Sequence, residues 1–204
     1  SDGRVYLYTQ YEPADCRRVF PNFEQPDLKA VFNFRITAPR DWVVSSNGVL
    51  ESEVSDPTDS NIVKRVFAPT ERISTYITAV LAGEYFTVTD TYKPQSITNS
   101  GDIPLVAYCR HSLKPHFDYD NIFRVTKNGL DFFQDLFDYP YPYPKYEQAF
   151  VPEYNIGAME NPGLVTFTED FIFVSGATED DLEGRANTIC HEMAHMWFGD
   201  LVTM

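Results

Sequence analysis

The first hundred residues alternate between apolar and polar positions with a period of two. The clearest run covers residues 30–37, where Ala30, Phe32, Phe34 and Ile36 alternate with Val31, Asn33, Arg35 and Thr37. This period places one face of a strand on a core and the other face in water. Residues 42–46, 73–81 and 85–89 predict further strands, and the first of these leads into the turn signal Asn47-Gly48. The pattern predicts a β-rich N-terminal module.

The apolar spacing becomes helical in the second half of the chain. The residues at this spacing are Ile122, Phe123, Val125, Thr126, Leu130, Phe133, Leu136 and Phe137. They predict an amphipathic helix over residues 119–137. The Pro-rich segment 139–144 cannot continue this helix, and we expect it to run extended over the surface. A short strand is predicted at 148–151, and a second helix at 180–198, where an acidic first turn suits the helix dipole.

A polar stretch at residues 93–102 separates the part with strand-like alternation from the part with helical spacing. It reads KPQSITNSGD and is predicted to be a linker or a long hairpin, after which a strand resumes at 105–110. The chain therefore divides into a β-rich N-terminal domain over residues 1–102 and a mixed α/β part over residues 103–204. The predicted fold class is α+β.

Charge and cysteine content narrow the classes of partner and compartment. Thirty acidic against sixteen basic residues give a net charge of -14, which argues against binding to nucleic acid. Cys16, Cys109 and Cys190 are odd in number and widely spaced, so no disulfide framework is predicted, and we expect a reducing, cytoplasmic location. No apolar run approaches the roughly 18 residues of a spanning helix, so no membrane segment is predicted.

The second predicted helix carries an HExxH motif. It consists of His191, Glu192 and His195 with two intervening residues. Residues four apart lie one above the other on a helix, so both imidazoles can bind one cation while Glu192 reaches a water held there without being a ligand. Zn²⁺ suits neutral imidazoles and can lower the pKa of a bound water to about 7.

The motif is short, and an ordinary pair of helix histidines is the alternative. The apolar stripe beside them consists of Leu182, Ala186, Ile189, Met193 and Trp197. In this register both histidines and Glu192 lie next to the stripe and face a cleft, which favours the metal interpretation. His111 and His116 lie in another stretch without ligand spacing. Adjacent helix residues point about 100° apart, so Cys190 is expected to be a packed thiol rather than a ligand.

Two further runs of sequence flank HExxH. The run GAMEN, at residues 157–161, precedes it by about thirty residues, and WFGDLVTM, at residues 197–204, follows it. The pair GAMEN and HExxH resembles the M1 family of zinc aminopeptidases, the aminopeptidase N group. The stretch at residues 10–30 is also similar to that family, so the resemblance extends over nearly the whole chain.

The resemblance implies a zinc aminopeptidase with one Zn²⁺ per parent chain. The N-terminal module would be followed by the start of a thermolysin-like α/β metallopeptidase domain. The family's third zinc ligand is a Glu separated from His195 by eighteen residues, which corresponds to position 214, and its transition-state-stabilising Tyr lies farther on. The chain is therefore expected to be an interior piece that lacks its first strands and part of its catalytic domain, and to be inactive alone.

An aminopeptidase has to recognise a free α-ammonium group, and carboxylates can do this through charge-assisted hydrogen bonds. Glu160, helped by Gln10 and Glu12, is predicted to bind the ammonium. Gly157 lets the substrate approach the backbone, and an extended strand through Ala158 and Asn161 can pair with the peptide. Met159 is predicted to line the pocket for the first side chain. The expected partners are peptides with a free N-terminus.

Other interpretations of the same residues remain open. Glu160 could be a solvated loop carboxylate, and Gln10 and Glu12 could be exposed strand residues. Asp200 either orients a zinc-bound imidazole or only ends the helix. HExxH also serves endopeptidases, but these have no use for an ammonium clamp. A non-enzymatic β-rich interaction module is the third possibility.

Overall fold

The computed structural model describes residues 2–94 and 101–204. Within these residues the chain forms thirteen strands and two α-helices. The strands are β1 (Tyr6–Tyr8), β2 (Arg35–Pro39), β3 (Val43–Ser46), β4 (Leu50–Ser55), β5 (Ile62–Phe67), β6 (Val80–Gly83), β7 (Tyr85–Tyr92), β8 (Ile103–Arg110), β9 (Tyr146–Val151), β10 (Ala158–Met159), β11 (Leu164–Thr168), β12 (Phe198–Gly199) and β13 (Val202–Thr203). The helices are α1 (Tyr119–Phe137) and α2 (Glu179–His195).

Two small antiparallel sheets make up most of the N-terminal part. Their strand orders are β1-β6-β3 and β2-β5-β4. A third sheet of five strands has the order β10-β11-β9-β8-β7. Within it β8, β9 and β11 are parallel, while β7 and β10 are antiparallel to their neighbours. Helix α1 connects β8 to β9, as a parallel pair requires. This architecture confirms the α+β class.

The stretch that the sequence predicts as a linker or a long hairpin connects two paired strands. Strand β7 pairs with β8 along its whole length, from Tyr85 opposite Arg110 to Tyr92 opposite Ile103. Residues 95–100 of the predicted stretch lie outside the described residues. The described strands on either side are those of an antiparallel hairpin. The domain boundary at residue 102 stays a prediction.

Helix α2, which carries the HExxH motif, begins with a capping box. The Thr178 side chain accepts a hydrogen bond from the backbone N–H of Asp181, while the Asp181 carboxylate accepts one from the backbone N–H of Thr178. Two orphan donors at the helix start are thereby satisfied. Helix α1 ends at Phe137 and is followed by the C-cap residue Asp138, whose φ of 49° is left-handed.

Both helices pack on the five-stranded sheet and enclose the larger core. Its fully buried residues include Ile122, Leu130, Tyr146, Phe150, Phe167, Ile189 and Met193. Gly129 of α1 lies against Met193 of α2, where a Cβ would lie 2.9 Å from the Met193 Sδ. The missing side chain thus allows α1 and α2 to approach closely.

Several sequence expectations differ from the fold. The strand predicted over residues 30–37 begins only at Arg35, because Phe32 donates its backbone N–H to the Thr70 hydroxyl and not to a neighbouring strand. The Pro-rich segment lies on the surface only in part: Tyr139, Pro140 and Pro144 are exposed, but Tyr141 and Tyr143 are buried, and Tyr141 donates its hydroxyl to the Lys145 carbonyl. In the part of the chain that the structure describes, no helix is both long and apolar enough to cross a membrane.

Candidate functional site

The two imidazoles of the HExxH motif meet on one side of α2. The Nε2 atoms of His191 and His195 lie 3.2 Å apart, with their rings nearly perpendicular. Two ligands of a tetrahedral zinc ion, each bonded at about 2.0–2.1 Å, lie about 3.3–3.4 Å apart. The spacing of these nitrogens therefore fits a shared zinc ion.

The tautomer of His195 is set by a backbone carbonyl. Its Nδ1 donates to the Phe198 carbonyl oxygen at 2.9 Å, just beyond the end of α2. A carbonyl only accepts, so Nδ1 carries the proton and Nε2 presents a lone pair toward His191. This is the usual way in which an outer partner orients a metal-binding histidine.

Two buried carboxylates come close to His195. Glu160, Glu192 and His195 each offer a ligand atom, and these atoms lie within 4.8 Å of one another. Burial, followed by the nearby carboxylates Glu160 and Glu12, raises the pKa of Glu192 to about 8. Buried like charges at this spacing are costly without a cation. Together with the imidazole spacing, this donor set suits a divalent metal.

The GAMEN run lies at the edge of the five-stranded sheet. Ala158 and Met159 form β10, which pairs with Phe167 and Thr166 of β11. The other three residues sit around this strand. Gly157 is exposed, and a Cβ there would meet nothing within 4 Å, so the backbone is open to a ligand.

The N-terminal residues predicted to assist the clamp reach the same place. Gln10 follows β1 and donates its side-chain amide to the Met159 Sδ at 3.7 Å. Burial raises the pKa of Glu12, Glu160 raises it further, and His195 opposes this shift. Glu12 therefore lies within electrostatic range of both Glu160, the predicted clamp, and His195, a predicted zinc ligand. The structure thus brings every predicted site residue into one region, although their roles stay predictions.

Asn161 is buried and plays a local part. Its side-chain amide donates to the Thr166 hydroxyl at 3.3 Å, which links the end of the GAMEN run to β11. Asp200 does not orient a histidine. It is fully buried, and neither carboxylate oxygen has a hydrogen-bond partner among residues 2–94 and 101–204. The Phe198 carbonyl has the orienting role that the sequence suggested for Asp200.

Sequence reasoning missed two residues that support the site from the N-terminal part. Tyr76 donates its hydroxyl to Glu160 Oε1 at 3.3 Å, and both side chains are buried. Asn47, interpreted from the sequence as a turn residue, is also buried and bonds Pro162, directly after GAMEN. No local motif marks either residue, because their partners are distant in the sequence.

The cysteines take no part in the cluster described above. All three are free, Cys16 and Cys109 being buried and Cys190 partly so. The Cys190 Sγ lies 3.7 Å from where a Cβ on Gly129 would be, so this thiol packs between the two helices. This agrees with the expectation of a packed thiol.

Comparison with known proteins places this geometry in a family. Residues 122–204 match the peptidase family M1 domain, and residues 1–77 match the peptidase M1 N-terminal domain. Aminopeptidase N of Streptomyces lividans is 52% identical over 203 residues, which cover 100% of this chain. The chain belongs to peptidase family M1. The order of an M1 N-terminal module and the start of an M1 peptidase domain is therefore confirmed.

More distant M1 relatives show the same extent of similarity. Aminopeptidase N of Homo sapiens is 35% identical over 204 residues, covering 98% of this chain. Aminopeptidase N of Acetobacter pasteurianus is 33% identical over 202 residues, covering 97% of the chain. The chain spans 22% of the Streptomyces relative, 20% of the human one and 53% of the Acetobacter one.

Proposed function

We propose that the protein carrying this chain is a zinc-dependent aminopeptidase that releases single N-terminal amino acids from peptides. The observation that carries this proposal is the meeting of Glu160, Glu192 and His195 within 4.8 Å, beside His191. A metal-binding helix and a buried carboxylate from a sheet edge thus share one site. The names of the M1 relatives, aminopeptidase N, support the same activity.

His191 and His195 would hold the zinc ion, with one ion per protein. When bound there, zinc makes a coordinated water acidic enough to attack a peptide carbonyl at neutral pH. Glu192, one residue after His191, would accept a proton from the attacking water and return one to the leaving amine. Its burial suits this role because a general base works best with a pKa near the working pH.

The substrate's amino end would be bound by carboxylates of both parts of the chain. Glu160 would accept charge-assisted hydrogen bonds from the α-ammonium, with Gln10 and Glu12 beside it. The open edge of β10, from Gly157 onward, can pair with the peptide backbone. Binding the ammonium at a fixed distance from the imidazoles sets the cleavage one residue from the amino end.

The resemblance to the M1 family also implies a third ligand at position 214, which is not among the 204 residues. A site with two imidazoles and no such carboxylate binds zinc weakly. We therefore expect residues 1–204 alone to be inactive. We also infer peptides with a free N-terminus as the partners, and a cytoplasmic location, which the three free cysteines support.

Two substitutions in the whole protein test the proposed roles separately. Glu192→Gln is expected to retain zinc and peptide binding while turnover falls by about 10²- to 10⁴-fold. Glu160→Ala is expected to raise the KM of unblocked substrates and to erase their advantage over acetylated ones. Turnover also falls in this variant, because the clamp orients the scissile carbonyl.

Steady-state kinetics with an aminoacyl anilide and its acetylated counterpart measure the turnover, the KM and the preference for a free amino end. The zinc content per protein shows whether the metal is retained. A Glu160→Ala enzyme that still strongly favours the free amino end would leave an endopeptidase-type metallopeptidase as the better interpretation. A Glu192→Gln enzyme with normal turnover would remove Glu192 from the mechanism.

A further inference from the structure

Tyr76 contacts the predicted ammonium clamp from outside the peptidase part. It lies in the 3₁₀ turn Thr75–Ile77, between the segment paired at Ile73 and strand β6. Its side chain is 6% exposed, and its hydroxyl donates to Glu160 Oε1 at 3.3 Å. In the residues that the structure describes, the second oxygen of Glu160 has no hydrogen bond, although it is not closed off from solvent. One oxygen is thus held and the other is left for a ligand.

The turn that carries Tyr76 is held at a fixed distance from GAMEN by Asn47. The Asn47 side-chain amide donates to the carbonyls of Ile77 and Pro162, each at 2.9 Å. Its side-chain oxygen accepts from the backbone N–H of Ala79 at 2.8 Å. One buried side chain therefore joins the residue after Tyr76 to the second residue after Glu160. The Tyr76–Glu160 contact is part of a built connection between two segments.

The electrostatic surroundings show why a neutral donor is useful there. Glu160 lies among other acids, since its charge raises the pKa of Glu12, of Glu192 and of Asp200. Burial, and then Glu160, raise the pKa of Tyr76 well above its usual value, so the hydroxyl keeps its proton and remains a donor. A lysine in this place would compete with the substrate's ammonium for the carboxylate. A tyrosine orients the carboxylate without neutralising it.

We propose that Tyr76 is a positioning residue that orients the Glu160 carboxylate toward the substrate's ammonium group and so contributes to the preference for free amino termini. This inference rests on the proposed aminopeptidase function. It makes the N-terminal part a contributor to specificity through Tyr76, in addition to Gln10 and Glu12. Tyr76 acts through Glu160 and does not itself contact substrate.

Tyr76→Phe removes only the hydroxyl and tests the proposal in the whole protein. We expect the KM of an unblocked aminoacyl anilide to rise about tenfold, the low end for a hydrogen bond to a charged group, because 3.3 Å is long for an O–H donor. The kcat should change less, and zinc content should equal that of the wild type. The ratio of kcat/KM between free and acetylated substrates should fall by a similar factor.

Tyr85→Phe is the matched control. Tyr85 is also buried, and its hydroxyl also donates at 3.3 Å, but to the Leu7 carbonyl, outside the site. It should leave the ratio of free to acetylated substrate unchanged. A general loosening of the fold would lower kcat/KM for both substrates alike, so the ratio separates positioning from a merely structural effect.

A double-mutant cycle completes the test. If Tyr76 acts through Glu160, then Tyr76→Phe should have no further effect on the substrate ratio in a Glu160→Ala background. Equal ratios for wild type and Tyr76→Phe would overturn this inference while leaving the aminopeptidase function intact. A wild-type protein that does not prefer free amino ends would instead overturn the proposed function itself.

Discussion

Gly199 controls the orientation of His195, so replacing it with Ala should weaken zinc binding. Gly199 follows Phe198, whose carbonyl accepts the Nδ1 proton of His195 at 2.9 Å. Its φ is +135°, a conformation that L side chains rarely adopt, and a Cβ there would lie 3.0 Å from the same Nδ1. Gly199→Ala therefore strains the backbone and pushes on the imidazole at the atom that fixes its tautomer.

The size of the effect follows from these two consequences. A non-glycine residue in a sparsely populated backbone region costs about 1–3 kcal/mol. Part of that strain can be relieved if the backbone at residue 199 turns, but this moves the Phe198 carbonyl away from His195. Losing such an outer partner of a metal-binding histidine typically costs about 10- to 100-fold in metal affinity. We expect a loss in that range with the fold retained.

Competition against a chromophoric chelator at neutral pH measures the zinc dissociation constant of the whole protein. Gly184→Ala is the matched control, because Gly184 lies on α2, the helix that carries His195, is exposed, and has nothing within 4 Å of an added Cβ. An alanine there favours the helix by about 1 kcal/mol and should leave zinc affinity unchanged. Zinc binding of Gly199→Ala as tight as that of wild type would refute the role of the Phe198 carbonyl.

Two further predictions concern stability. With zinc removed by chelation, Glu192 binds a proton more tightly in the folded state, where its pKa is about 8 against the ordinary 4.5. The free energy of unfolding should therefore fall as the pH rises from about 4.5 to about 8. Thermal melts of Glu192→Gln should lack this pH dependence. Asn47→Ala should lower the free energy of unfolding, measured in urea melts, by about 2–4 kcal/mol, because three buried backbone groups lose their partner. Asn61→Ala, at an exposed position, should show no such loss, and an equal loss in both variants would contradict this account.

Local patterns predicted the helices well. Helix α1 has the predicted bounds, since its apolar positions recur over five turns and a Pro-rich segment follows. Helix α2 ends at His195 and not at residue 198, because Phe198 and Gly199 turn back to place the carbonyl on His195. Alternation alone was less reliable: residues 30–34 alternate as a strand would, but their hydrogen bonds to Ile73, Thr70 and Phe67 leave only an isolated bridge at Ala30 and no continuous ladder.

The residues of the candidate site also divide into those that local sequence patterns predict and those that they do not. The spacing of His191 and His195 predicted that their imidazoles lie side by side, because residues four apart lie on the same face of a helix. Tyr76 and Asn47 could not be predicted, since they meet Glu160 and Pro162 across 84 and 115 residues of sequence. Tyr141 and Tyr143 were misplaced because prolines mark an extended backbone without saying which face of it is buried.

A buried polar cluster explains why the clamp can depend on the N-terminal sheets. Lys145 and Glu147 are both buried, with Nζ 3.0 Å from Oε1, and Lys145 also donates to the Ser45 hydroxyl at 2.9 Å. Ser45 belongs to β3 and Glu147 to β9, which pairs with β11 next to GAMEN. The Ser45 hydroxyl also donates to Glu147 Oε2, so parting the two sheets would take this hydroxyl away from both members of the buried pair, which is costly. Asn47 continues this connection toward Pro162, so the distance between Tyr76 and Glu160 is fixed by the packing of one sheet against the other.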